Sequence, residues 1–164
     1  MASESSIKRK LNREITLILR QSHIDKNNKK VGSITYEDFL SDKMLIIGVI
    51  RAGIPYSLFH LIRDYTPFTE NDWANFLDIS KKTLQRYKAA TENFKPIHSE
   101  KIIEMAEVTK VGLDVFGNMD KLRLWLNTPN YALGNIKPVD LLKDSYGKEL
   151  VLGELIRIDY GILV

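Results

Sequence analysis

Cysteine is missing from all 164 positions, and with it go disulfide frameworks, thiolate metal sites and thiol nucleophiles. Histidine is scarce. His23, His60 and His98 fall in unrelated segments, none with a neighbour at metal-ligand spacing, so neither a metal centre nor a histidine-based catalytic set is expected. No glycine-rich phosphate loop is present either, because Gly112 and Gly117 stand without the companions such a loop needs. The longest apolar run, residues 44–50, is far too short to cross a bilayer. The first twenty residues open polar and carry Lys8, Arg9, Lys10 and Arg13 where a secretory signal would have an apolar stretch. These absences predict a cytoplasmic protein with no enzymatic activity, no catalytic residue, no metal, no cofactor and no membrane partner.

What is present is enough apolar material for a core, 44% of residues, and an uneven charge pattern behind a modest net +3. Residues 1–32 carry a net +5 and residues 33–79 a net −4, followed by +4 over residues 80–97 and −2 over residues 98–164. Basic charge is therefore confined to two blocks, and the short central one is where a nucleic-acid contact is expected.

Helical periodicity dominates the chain. Ile7, Leu11, Ile15 and Ile18 recur on one face of a helix that needs a partner surface, and the polar run at residues 23–32 reads as a loop. Thr35 with Asp38, and Ser41 ahead of residues 44–51, suit helix starts, with Gly53 as a C-terminal cap. Pro55 opens a further helix that Pro67 ends. Later, Ile102, Ala106, Thr109, Leu113 and Phe116 recur at steps of four and three before Gly117, and Leu122, Trp125 and Leu126 mark a short helix ending before Pro129. Pro138 starts another, and Val151, Leu155 and Ile158 the last, with Gly161 at its C-terminal end. Convincing strand alternation is lacking, so the fold class is all-α.

Residues 68–87 fit a helix-turn-helix. Thr69 and Asp72 have capping-box spacing, and Phe68 and Trp73 stand at the two ends of a hydrophobic staple. Ala74 is small where a second helix must cross, Leu77 and Ile79 flank the turn, and Asp78 occupies a position that often needs a left-handed backbone. Ser80 is a suitable N-cap for the second helix, in which Leu84 and Tyr87 face inward. That leaves Lys81, Lys82, Thr83, Gln85, Arg86 and Lys88 facing outward, the composition that major-groove reading and phosphate contact require. Two short amphipathic helices exposing a charged face would share part of this pattern. Cap, staple, small residue and basic second helix together favour DNA binding.

The C-terminal half carries a fixed order of uncommon residues: Phe116-Gly117, Trp125-Leu126, Pro129-Asn130, Ala132-Leu133-Gly134, Pro138, Leu141-Leu142, Gly147, Val151, Leu155 and Arg157-Ile158-Asp159-Tyr160-Gly161. This order resembles the toxin-binding domain of the Xre/MbcA/ParS-type antitoxins, and the likeness extends upstream over residues 44–164 through Thr83-Leu84-Gln85-Arg86 and Gly53-Ile54-Pro55. The family often has Gly-Gly before a Thr-Pro helix start, whereas Gly134 here is followed by Asn135, Ile136, Lys137 and Pro138, which leaves the shape of that turn open. The resemblance implies an antitoxin of a type II toxin-antitoxin system. Its partner would be a RES-type toxin, of a family that consumes NAD and resembles ADP-ribosyl transferases. Contact with that toxin is expected at Trp125, Pro129, Asn130, Leu133, Gly134, Arg157, Tyr160 and Gly161, a set of aromatic, Arg and turn residues of the kind that anchors interfaces. Read without the family, the same residues make core, turn and helix-cap positions.

The expected organisation is a basic N-terminal arm at residues 1–33, partly ordered, a helix-turn-helix DNA-binding domain at residues 34–97, and a helical dimerisation and toxin-binding domain at residues 98–164. Operator DNA is the second expected partner, with the chain repressing its own operon. Because a single helix-turn-helix makes few base contacts, a homodimer is expected, formed by the helix around residues 102–116. The alternatives are a stand-alone helix-turn-helix transcription regulator with a C-terminal dimerisation domain, or a protein adaptor whose helix-turn-helix is structural.

Overall fold

In a computed structural model of the protein, residues 3–22, 33–90 and 92–161 are described. All regular structure among them is helical apart from one isolated antiparallel bridge between Asn130 and Ile136. The chain divides into two compact units, Met1–Tyr65 with Lys82–Ile103, and Thr66–Lys81 with Glu104–Val164. This partition differs from the expected one at residues 33/34 and 97/98. The helix-turn-helix segment is divided between Lys81 and Lys82, at the start of its second helix, and the 21-residue helix Pro96–Phe116 has residues in both units.

The first unit begins with α1 (Glu4–Gln21), whose Leu11, Ile15, Ile18 and Leu19 are buried. This helix is part of the core of its unit: it packs on α2 (Tyr36–Ser41) and α4 (Tyr56–Asp64). Polar ties fix its register. Asn12 Oδ1 accepts the Tyr36 backbone N–H at 2.7 Å, the Ser57 hydroxyl donates to Glu14 at 2.5 Å, and Lys8 bonds Glu37 at 2.5 Å. The partner surface that the apolar face of α1 requires is thus supplied from residues more than twenty positions away. The predicted loop at residues 23–32 lies outside the described residues.

Thr35 and Asp38 form the expected capping box for α2. The next start departs from expectation. Asp42, not Ser41, caps α3 (Lys43–Ala52), its carboxylate accepting from the N–H groups of Met44 and Leu45, while the Ser41 hydroxyl bonds back to the Glu37 carbonyl. Gly53 ends α3 at φ 83°, and a side chain there would meet the Phe94 carbonyl at 2.5 Å. The Gly53-Ile54-Pro55 turn is held by backbone donation from Phe94 N to the Ile54 carbonyl and by Ser99 Oγ accepting the Ile54 N–H.

In the second unit, α5 (Glu70–Leu77) contributes Trp73, Phe76 and Leu77 to the core. The interior half of α7 (Pro96–Phe116) follows, then α8 (Met119–Leu126), a 3₁₀ turn at Tyr131–Leu133, α9 (Pro138–Leu141) and α10 (Ser145–Asp159). On α7, Ile102, Ile103, Met105, Ala106, Val108 and Thr109 are each no more than 2% exposed. This corrects the expected dimer surface. Residues 102–109 already pack within their own chain, and only Leu113 and Phe116 of the predicted set are half-buried.

His98, in the first turn of α7, has a buried Nδ1 with no hydrogen-bond partner among the described residues. Burial, and secondarily the nearby Lys95, lowers its pKa below the usual 6.5. A lowered folded-state pKa means that the unfolded chain binds the proton more readily, so stability should be full above the unfolded value and fall as pH drops through it. We expect a lower urea midpoint at pH 5.5 than at pH 7.5, with His98→Gln reducing the difference. An equal pH dependence in that variant would show that His98 makes no contribution.

Candidate functional site

The helix-turn-helix chemistry is observed residue by residue. Thr69 Oγ1 accepts the Asp72 N–H at 3.2 Å and the Asp72 carboxylate accepts the Thr69 N–H at 2.8 Å, closing the capping box that starts α5. Phe68 and Trp73 meet edge to face at 5.9 Å, which is the staple. Asp78 ends α5 in the left-handed region at φ 52°, ψ 44°. The chain then turns through Ile79 and Ser80 into α6 (Lys81–Ala89).

On α6, Leu84 is buried, and half-buried Tyr87 stacks on Phe94 at 4.1 Å, so the helix is anchored along one side. Lys82, Gln85 and Arg86 lie on the opposite side with Lys81 and Lys88 flanking them, all five exposed, Ser80 is exposed just before them, and Thr83 is half-buried at the edge. No acidic residue lies on this helix, and among the described residues Lys81, Lys82, Gln85, Arg86 and Lys88 have no ion pair. Their donors are therefore available to an external acceptor. A second basic surface lies on α1, where Arg9, Lys10 and Arg13 are exposed opposite its buried face.

The predicted C-terminal residues separate into two groups. Trp125 is half-buried against Phe116, ring centres 5.7 Å apart, and Leu133 is buried at 8% exposure. Asn130 is half-buried and pairs with Ile136 through its backbone, Gly134 follows at φ 72°, and Pro129 is exposed. These residues shape a closed loop whose 3₁₀ turn packs on α10. Asn135 continues the left-handed backbone at φ 60°, a conformation that Asn tolerates better than other non-glycine residues.

The other group lies at the end of α10. Tyr160 is 76% exposed, Gly161 is exposed at φ 68°, and Arg157 is half-buried beside Glu154 at 3.5 Å. Two residues absent from the sequence reading share their face. Tyr146 and Leu150 are 82% and 58% exposed, and with Gly153, Arg157 and Tyr160 they recur at steps of four, three, four and three. The inward stripe of Gly147, Val151 and Leu155 has nearly the same spacing. Val151 and Leu155, the apolar marks expected for this helix, are the ones that meet the core.

Two family models match the chain: the antitoxin Xre-like helix-turn-helix domain over residues 46–107 and the antitoxin Xre/MbcA/ParS C-terminal toxin-binding domain over residues 112–161. The chain is an Xre/MbcA/ParS-like antitoxin. Its all-α fold places the helix-turn-helix ahead of the toxin-binding domain. Among solved structures, a chain of the crystal structure of the M. tuberculosis MbcT-MbcA toxin-antitoxin complex matches with a TM-score of 0.53 at 23% identity, covering 65% of this antitoxin and 94% of that chain. At this identity the likeness speaks for the fold. No curated protein matches the sequence. Both family models begin beyond α1 and α2, so these helices are an addition to the matched domains. No described helix is long and apolar enough to cross a membrane.

Proposed function

We propose that this antitoxin neutralises a RES-type, NAD-consuming toxin through its C-terminal domain and represses its own operon through α6, acting in the cytoplasm as a homodimer on paired half-sites. The observation that carries the reading is the outward arc of α6. Five exposed polar and basic side chains lie there on a helix otherwise anchored by Leu84 and Tyr87. Such an arc costs like-charge repulsion in the free protein and is relieved by phosphates and base edges. Exposed Arg9, Lys10 and Arg13 on α1 add to the attraction for DNA. The toxin is assigned to the C-terminal domain because the toxin-binding family model covers residues 112–161.

Co-expression with the product of the adjacent reading frame should restore growth that this product alone arrests, and the two should purify together. Replacing Gln85 and Arg86 by Ala should lower discrimination between operator and unrelated DNA by about 1 to 3 kcal/mol for each side chain that pairs with a base through two hydrogen bonds. Lys82→Ala should instead weaken binding to every sequence and flatten its salt dependence. Operator binding unchanged in the triple variant would exclude α6 as the reading helix.

A further inference from the structure

We infer that Gly153 marks the point on α10 where the toxin's main chain packs flush against the antitoxin, at the centre of a contact running from Tyr146 to Tyr160; this rests on the toxin-binding reading of the C-terminal domain. Gly153 lies in the interior of a 15-residue helix, where glycine is the least favourable residue after proline. Nothing among the described residues requires it. A Cβ built there meets no atom within 4 Å, and its φ lies outside the left-handed region. The contrast with Gly147, one and a half turns earlier, is direct, because a Cβ there would collide with the Leu141 carbonyl. One glycine answers to a neighbour inside the protein, and the other faces open space.

The surroundings of Gly153 say what kind of neighbour would fit. Tyr146, Leu150, Arg157 and Tyr160 flank it along one outward stripe, and Ile156 borders it at 49% exposure. A helix apolar on two sides is built to be covered on both. The stripe runs over fourteen residue steps, roughly 21 Å at helical rise, with tyrosines at its two ends and a notch without a side chain in the middle. Into such a notch fits an apolar segment carrying a small residue, so that two backbones approach closely while the tyrosines close over its ends. The toxin is the occupant because the whole stripe falls within the toxin-binding domain at residues 112–161.

Full-length antitoxin carrying Gly153→Ala or Gly153→Leu would be compared with wild type by urea denaturation, by light scattering alone, and by titration of the purified toxin. Gly153→Ala should raise the urea midpoint, because alanine favours the helix, and yet bind toxin several-fold more weakly. Gly153→Leu should remain folded, since its side chain enters open space, and lose affinity by about 30-fold or more, the size of an interface hot spot. Opposite signs for stability and binding are what a purely structural glycine would not produce. Folded variants that bind toxin as tightly as wild type would overturn the inference while leaving the antitoxin reading intact. So would variants that only dissolve a dimer of the antitoxin itself, because the occupant would then be a second copy. A wild-type chain that binds no toxin at all would instead remove the reading on which the inference rests.

Discussion

Gly147→Ala is expected to unfold the C-terminal domain at temperatures the wild type tolerates. Gly147 sits in the first turn of α10, its N–H donating to Asp144 Oδ1 at 2.8 Å. Its backbone conformation is ordinary, and the constraint is the approach of α9: an added Cβ would overlap the main-chain carbonyl of Leu141. A side chain could turn away from the clash, but a carbonyl at the end of a helix can only move with the helix. Overpacking typically costs about 1 to 3 kcal/mol, and a clash with main chain belongs at the upper end, which corresponds to roughly 10 °C of melting temperature in a protein of this size. Gly112→Ala provides the control, because the nearest atoms its Cβ would meet belong to the side chain of Leu122, which has rotamers to use. Gly112→Ala should therefore melt at a higher temperature than Gly147→Ala. Similar melting temperatures for Gly147→Ala and wild type would show that α9 and α10 separate without cost.

The features legible in the sequence are those whose chemistry is local. Both capping boxes, Thr35 with Asp38 and Thr69 with Asp72, involve atoms three residues apart, so the spacing already contains the geometry. The left-handed Asp78 and the Phe68-Trp73 staple are local in the same sense. Where two local solutions compete, reading becomes uncertain: Ser41 and Asp42 are both good caps, and the carboxylate, one residue nearer the helix, takes the position. Long-range facts are not written in any window. The face of α7 at residues 102–109 is apolar whether it meets its own chain or a second one, and it meets its own. On α10 the two stripes differ in sequence by one register step, and the burial of Val151 and Leu155, with the collision awaiting a side chain at Gly147, shows which faces inward. On α6 charge marks the exposed side in the sequence itself, whereas on α10 the sequence points to Arg157 and Tyr160 and gives no signal that Tyr146 and Leu150 are exposed beside them.

The N-terminal helix gives the second large effect. Were residues 1–33 an accessory arm, truncating its apolar side chains would change DNA affinity at most. In the folded protein, however, Leu11 is 0% and Ile15 1% exposed, both packed within the first unit, which also holds α6 from Lys82 onward. Large-to-small truncation of a buried Leu or Ile costs about 2 to 5 kcal/mol, so the pair together approaches the roughly 5 to 15 kcal/mol that holds a domain folded. Leu11→Ala with Ile15→Ala should therefore abolish cooperative melting of the first unit, and operator binding with it, although neither residue lies on the basic arc. Arg9, Lys10 and Arg13 replaced by Gln on the opposite face of the same helix should leave the melting temperature within a few degrees, since exposed substitutions away from special features are worth about half a kcal/mol. Hydrogen exchange at the amides of α4 separates the two explanations. Protection lost in the apolar pair and kept in the charge variant makes α1 a wall of the core, whereas protection kept in both would return it to the status of a tethered arm.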